Sequence, residues 1–188
     1  AVDIKDSELT SDEDIAVMAM RSIDDVWKRP PEDSTVKGEY HADAGNSIQI
    51  SNTNLHVNRA SWNNAERPDC YLGIMGGKVK LNTVDLKSPR EISIYAIREA
   101  DALTGVGKSG TGNALDIEGL TLEAAGDVDI WGGKAQIKTS SMQAGNVMVA
   151  TGAEVKMSEA GHTETLKPAS DGNHTLYLED VKITGEGL

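Results

Sequence analysis

Ile74-Met75-Gly76-Gly77-Lys78-Val79-Lys80-Leu81-Asn82-Thr83 returns 56 positions later as Ile130-Trp131-Gly132-Gly133-Lys134-Ala135-Gln136-Ile137-Lys138-Thr139. Five of the ten positions are identical, and two more exchange one aliphatic residue for another. The separation is too long for one hairpin and matches three coils of about nineteen residues each. Internal repetition outranks local propensity, because it says that one structural unit is stacked on itself.

A second refrain marks corners: Ala44-Gly45-Asn46, Ala125-Gly126-Asp127, Ala144-Gly145-Asn146 and Ala160-Gly161-His162. Gly126 and Gly145 lie 19 positions apart, the coil length inferred from the decapeptide. Between the corners run short alternating phrases. Ser47-Ile48-Gln49-Ile50, Glu91-Ile92-Ser93-Ile94-Tyr95, Leu120-Thr121-Leu122 and Leu176-Tyr177-Leu178 are examples, each with apolar residues at period two. The reading is an all-β parallel β-helix, a solenoid of six or seven irregular coils over residues 36–188. An antiparallel β-sandwich is the alternative, since many short strands with turn signals describe that as well.

Composition agrees with a narrow aliphatic interior. The 188 residues suffice for one domain, yet only 4% are aromatic and there is no Phe. Thirty acidic against 18 basic residues give a net charge of −12, which repels polyanions. Nucleic acid and anionic membrane surfaces are thereby disfavoured as partners, and no apolar run is long enough for membrane insertion. The single cysteine, Cys70, cannot form an internal disulfide and is read as a buried or semi-buried thiol and not a nucleophile. A chain starting at Ala1 is read as secreted or surface-presented, with removal of an initiator Met before a small residue, or trimming, as the alternatives.

Residues 1–35 read differently. Ser11-Asp12-Glu13-Asp14 resembles an N-cap with acidic residues in the first helical turn. Ile15, Met18, Ala19, Ile23 and Val26 then follow at helical spacing, and Pro30-Pro31 is a stop. This predicts an amphipathic helix over 11–28 that caps the first coil, preceded by an extended arm carrying Val2 and Ile4. The same apolar residues (Val2, Ile4, Ile15, Met18, Ile23 and Val26) are the candidates for self-association.

Two stretches, 59–69 and 98–113, interrupt the rhythm and are read as loops extruded from the scaffold, where function usually sits. The second contains Ala102-Leu103-Thr104-Gly105-Val106-Gly107-Lys108-Ser109, a loose P-loop match. A phosphate cradle needs a helix starting at the Lys, and the Gly110-Thr111-Gly112-Asn113 that follows begins none. The stretch is therefore read as a glycine loop. The four histidines are not at metal-ligand spacing, and no Gly-x-Ser-x-Gly elbow occurs.

Candidate sites are few. Trp62, Trp131 and Lys108 are candidates for binding a ligand such as carbohydrate, with the tryptophans stacking on sugar rings. Asp116, Glu118, Asp127 and Asp129 project from consecutive phrases and are candidate ligands for a hard cation such as calcium. No other cofactor and no catalytic residue is indicated. Lys78, Lys80, Asp85, Lys87 and Arg90 supply the residue types of a polysaccharide-cleaving groove without any distinguishing spacing.

The phrase Leu120-Thr121-Leu122-Glu123-Ala124-Ala125-Gly126-Asp127-Val128-Asp129-Ile130, within residues 113–157, resembles repetitive β-solenoid regions of bacterial surface and secreted proteins. It is also similar to the β-helical spikes of contractile injection machines and phage tails. The irregular stretch 40–110 departs from the spike pattern. The resemblance implies a non-enzymatic structural or adhesive subunit, extracellular, on the cell surface or in a virion. Its partners would be itself or other assembly proteins. The alternative is a carbohydrate-binding or polysaccharide-cleaving β-helix protein.

Overall fold

The computed structural model describes residues 1–24, 39–58, 71–101, 106–157, 163–167 and 174–187, which are all-β with no helix. Along the chain these are β1 (Val2–Lys5), β2 (Glu8–Ser11), β3 (Ile15–Met18), β4 (Ser22–Asp24), β5 (Glu39–His41) and β6 (Ser47–Val57). There follow β7 (Tyr71–Gly76), β8 (Lys78–Ser88), β9 (Glu91–Ala96), β10 (Glu99–Asp101), β11 (Val106–Lys108) and β12 (Ala114–Ala124). The last are β13 (Asp127–Gly132), β14 (Lys134–Thr151), β15 (Glu154–Met157), β16 (Thr163–Lys167) and β17 (Leu176–Gly187).

Eleven strands form one nearly closed, wholly parallel sheet in the order β1-β6-β8-β12-β14-β13-β9-β7-β3, with β17 beside β14 and β2 beside β6. The parallel ladders exclude the antiparallel sandwich. Closure comes from β14, whose first half pairs with β12 and whose second half pairs with β13. Alternate residues then point into one enclosed column. Ile48, Val79, Leu115 and Ala135 are in register, as are Ile50, Leu81, Ile117 and Ile137, and all are buried. Leu72, Ile92 and Val128 face them from the other half. Stacked aliphatic side chains fill the space, and this explains how the chain does without Phe.

Six long stretches on one half share a corner. Asp6, Asn52, Thr83, Thr139 and Asp180 have φ of 47–56°, Gly119 has φ 67°, and the pairing registers place all six in one column. One left-handed residue bends the strand while preserving alternation on either side. The next residue closes the bend where it carries a hydroxyl: Ser7, Thr53 and Ser140 donate to the carbonyls of Lys5, Ser51 and Lys138 at 2.7, 2.8 and 2.6 Å. Asn, Asp and Gly tolerate left-handed backbone best, and four of the six corner residues are of these types.

The decapeptide marks a second corner. Asn46 ends a turn whose carbonyl accepts from the N–H groups of Gly77 and Lys78 at 2.7 and 3.2 Å. Asn113 does the same for Gly133 and Lys134 at 2.9 and 3.1 Å, and its Nδ2 donates to Gly77 O at 2.9 Å. A Cβ on Gly77 would lie 1.6 Å from Asp43 O, and one on Gly133 1.8 Å from Gly110 O. Only glycine fits where the chain runs this close to the turn beneath it. The two copies are therefore two strand steps apart, through β12, rather than three. The step from Leu115 to Ala135 is 20 residues, whereas those from Ile48 to Val79 and Val79 to Leu115 are 31 and 36. Insertions lengthen most steps beyond the expected nineteen.

The capping helix is not formed. Ile15, Val17 and Ala19 are buried at period two while Ala16 is exposed, so the segment is strand β3, paired with β7. Ile15-Ala16-Val17-Met18-Ala19-Met20 satisfies both periods, and β-branched Ile and Val at alternate positions favour the strand. The apparent N-cap is a turn between β2 and β3. Glu13 N donates to Ser11 Oγ at 3.2 Å, and Asp14 Oδ1 accepts from Tyr71 N at 2.9 Å.

A second, six-stranded antiparallel sheet (β16-β15-β11-β10-β5-β4) is built from the excursions between main-sheet strands. Where it meets the main sheet, the outward residues of β7, β9, β13 and β14 are covered. Met75, Tyr95, Trp131, Met148 and Ala150 pack there with Ala42, Ile97 and Ala100 in a small second core.

Candidate functional site

Of the loose P-loop stretch, Val106–Lys108 is strand β11 and residues 102–105 lie outside the described residues. β10 and β11 pair antiparallel, and Lys108 Nζ meets Glu99 Oε2 at 3.3 Å. No helix N-terminus faces this lysine. Trp131 is fully buried in the second core, its indole N–H without a hydrogen-bond partner among the described residues, and no sugar reaches it. Trp62, Val26 and Cys70 lie outside the described residues.

The four carboxylates divide between two halves of the sheet. Asp116 faces Lys80 at 3.6 Å, and Glu118 stands opposite Lys138 in the ladder. Asp127 accepts from Asn146 Nδ2 at 2.7 Å. Asp129 is buried beside Tyr95, whose hydroxyl donates to its Oδ2 across 3.5 Å. Burial, and after it the Asp129 charge, push the Tyr95 phenol well above its ordinary value. The four carboxylates therefore do not form one constellation, and no group of three potential metal ligands occurs among the described residues.

The outer face of the long strands carries a lattice of opposite charges instead. Lys87 meets Glu123 at 3.8 Å and Lys138 meets Glu179 at 3.4 Å. Exposed pairs of this kind contribute little stability each. Their order across the ladder sets which neighbour suits each strand.

That lattice ends at β17, and the most distinctive exposed feature is there. β17 pairs with β14 on one side and with no described strand on the other. Leu176, Tyr177 and Leu178 are 42, 50 and 45% exposed, the large apolar residues left uncovered among those described. Leu176 and Leu178 continue the core columns of Ala135 and Ile137, and are exposed because no strand lies over them. Lys138 Nζ sits 5.5 Å from the centroid of the Tyr177 ring, whose hydroxyl donates to Glu179 at 3.2 Å. Beside them Lys134, Gln136, Thr175 and Tyr177 line an open recess of ≈ 320 Å³.

At the opposite end, β1 and β2 pair only with β6 among the described strands. Val2, Ile4 and Leu9 are partly buried against the main core. Of the other self-association candidates, Ile15 is buried in that core, Met18 lies on β3 and Ile23 on β4 of the second sheet, so they do not share one face. The alternation Leu176-Tyr177-Leu178 is a legible strand, and the structure extends it to Gly187. That it is the last of its column, and hence half open, depends on pairing that local sequence does not reveal.

Comparison with protein-family models, with curated proteins and with solved structures finds no match to this chain.

Proposed function

We propose that this chain is a parallel β-helix acting as a non-enzymatic structural or adhesive subunit of an extracellular or virion assembly. Self-association would run through its exposed strand edges. The observation that carries the proposal is β17: twelve residues with one side unpaired by any described strand and the adjoining core apolar residues uncovered among those described. Long open edges with apolar residues are a liability in a monomer and a joint in an assembly. The shared corner column and the register of the ladders support the helical reading of the sheet. The net charge of −12 suits a particle kept soluble by its sides while its ends associate.

The test is the mass in solution by light scattering over a hundredfold concentration range. Species growing with concentration support the proposal. A strict monomer of 20.0 kDa throughout overturns it.

A further inference from the structure

The two open edges of the main sheet are built to one pattern. β1 and β2 flank the left-handed Asp6, and β17 bends at the left-handed Asp180, with φ 49° and 52°. Neighbouring strands of this half stack corner on corner, so one further step of the same rule sets Asp6 of a second molecule over Asp180. Every other facing pair then follows. On the inner face Leu176 meets Val2, Leu178 meets Ile4 and Ile183 meets Leu9, all by extension of the observed registers. On the outer face Glu179 meets Lys5, and Lys182 meets Glu8. A slip of one residue turns the apolar set outward, and a slip of two sets a corner against extended strand.

The geometry points to a head-to-tail joint between copies of this chain, in which β17 of one molecule pairs in parallel with β1 and β2 of the next. This rests on the self-assembling reading above and adds its surface, polarity and register. Charge complementarity singles out a second copy as the occupant. Glu118, Lys138 and Glu179 already alternate in one column of the outer face, and Lys5 of the next molecule continues the alternation. Lys182 with Glu8 adds a second opposite pair. The joint covers Leu176 and Leu178, which the isolated chain leaves exposed. The other half takes no part: its last strand is β14 and its first is β3, which the joint leaves about one strand width short of contact. One pair opposes the joint, since Asp180 and Asp6 of the next copy would stand ~4.8 Å apart with like charge.

The test uses the full chain and three variants, followed by sedimentation velocity with far-UV circular dichroism as a check on folding. Lys5 and Glu179 are about half exposed (52 and 48%), and their exposed pairs with Asp3 and Lys138 contribute little stability each, so exchanging their charges leaves the fold intact. Lys5→Glu alone and Glu179→Lys alone should each weaken association, by about fivefold. A 1:1 mixture of the two should recover wild-type association, because each head then finds a complementary tail. Asp180→Asn keeps a residue tolerant of left-handed backbone and should tighten association roughly two- to fivefold. Wild-type chains that associate while all three variants behave alike, or a mixture that stays weak, overturn this joint and leave assembly through another surface standing. Wild-type chains that never associate overturn both.

Discussion

Thr83 and Thr139 hold the same place in the two copies of the decapeptide, and both sit in left-handed backbone, at φ 56° and 47°. Gly119 lies between them in the ladder, at φ 67°. The shared threonine thus marks a corner that the sheet requires at every level. A β-branched residue is among the least suited to it, so the corner is imposed by closure of the sheet around its core and not by local preference.

Relieving that strain should stabilise the protein. Thr139 is exposed, so Thr139→Gly loses little packing. Left-handed backbone costs an L residue about 1–2 kcal/mol, and glycine gives back roughly 0.5–1 kcal/mol in chain entropy. The expected gain is roughly 0.5–1 kcal/mol, a Tm rise of about 1–4 °C in a chain of this size. A lower Tm by calorimetry for both Thr139→Gly and Thr139→Asn would refute the assignment of strain.

Glycines 133 and 110 make an internal control. Gly133→Ala drives a methyl into the Gly110 carbonyl, whereas a Cβ on Gly110 meets nothing closer than Asn113 Oδ1 at 3.8 Å. Urea unfolding should show a loss of roughly 2–4 kcal/mol for Gly133→Ala and a change within about 0.5 kcal/mol for Gly110→Ala. Equal losses would mean that the close approach of chain and turn is misplaced.

These corners also show how much was legible in the sequence. Period-two phrases such as Val79-Lys80-Leu81 and Leu120-Thr121-Leu122 name their own strands, because a half-buried strand needs only its own alternation. The decapeptide is a repeat, but its 56 positions span two strand steps and not three coils of nineteen. The structural repeat is the glycine pair with the asparagine turn beneath it, and Asn46 and Asn113 recur only at alternate levels. Residues 15–20 fit helix and strand equally, and pairing with β7, some 57 positions on, made the choice. The carboxylates failed as a site for the same reason. Asp116 and Asp129 are near in sequence, yet a corner and a strand change separate their faces. The open edge of β17 is a property of the order of strands, which no local pattern carries.

Tyr95 should give the protein an alkaline limit. Its phenol is buried, and desolvation with the nearby Asp129 charge raises its pKa above the ordinary 10.0. The unfolded chain releases this proton near pH 10 while the folded chain retains it, so the stability it contributes is complete below pH 10 and falls as pH rises above that. Tyr95→Phe removes the titration at a cost of about 1 kcal/mol near neutrality, because the hydroxyl bond to Asp129 is long. Plotted as stability against pH from 9 to 11.5, the wild-type curve should fall more steeply than that of the variant. Parallel curves would mean that the phenol ionises freely in the folded state.

Trp131 contributes volume, and no hydrogen bond among the described residues. Its indole N–H is buried without a partner among the described residues, so Trp131→Phe gives up packing but no bond. Its cost should stay near 1–2 kcal/mol, against about 3–5 kcal/mol for Trp131→Ala. A similar loss for both in chemical denaturation would reveal a bond that the indole makes.

Head-to-tail joining sets a length as well as a surface. The strands β1, β6, β8, β12, β14 and β17 stack in one direction, and the joint adds the next β1 at the same spacing. Six strands at ~4.8 Å give an axial repeat of ~29 Å for the assembled fibre. The unfilled slot between β14 and the next β3 recurs with that period, so it should mark images and diffraction of the fibre with a layer line near 29 Å beside the strand spacing. A tail-to-tail contact through two β17 strands would close on itself and stop at a dimer. A species that never exceeds two copies would assign the joint to that symmetric contact instead.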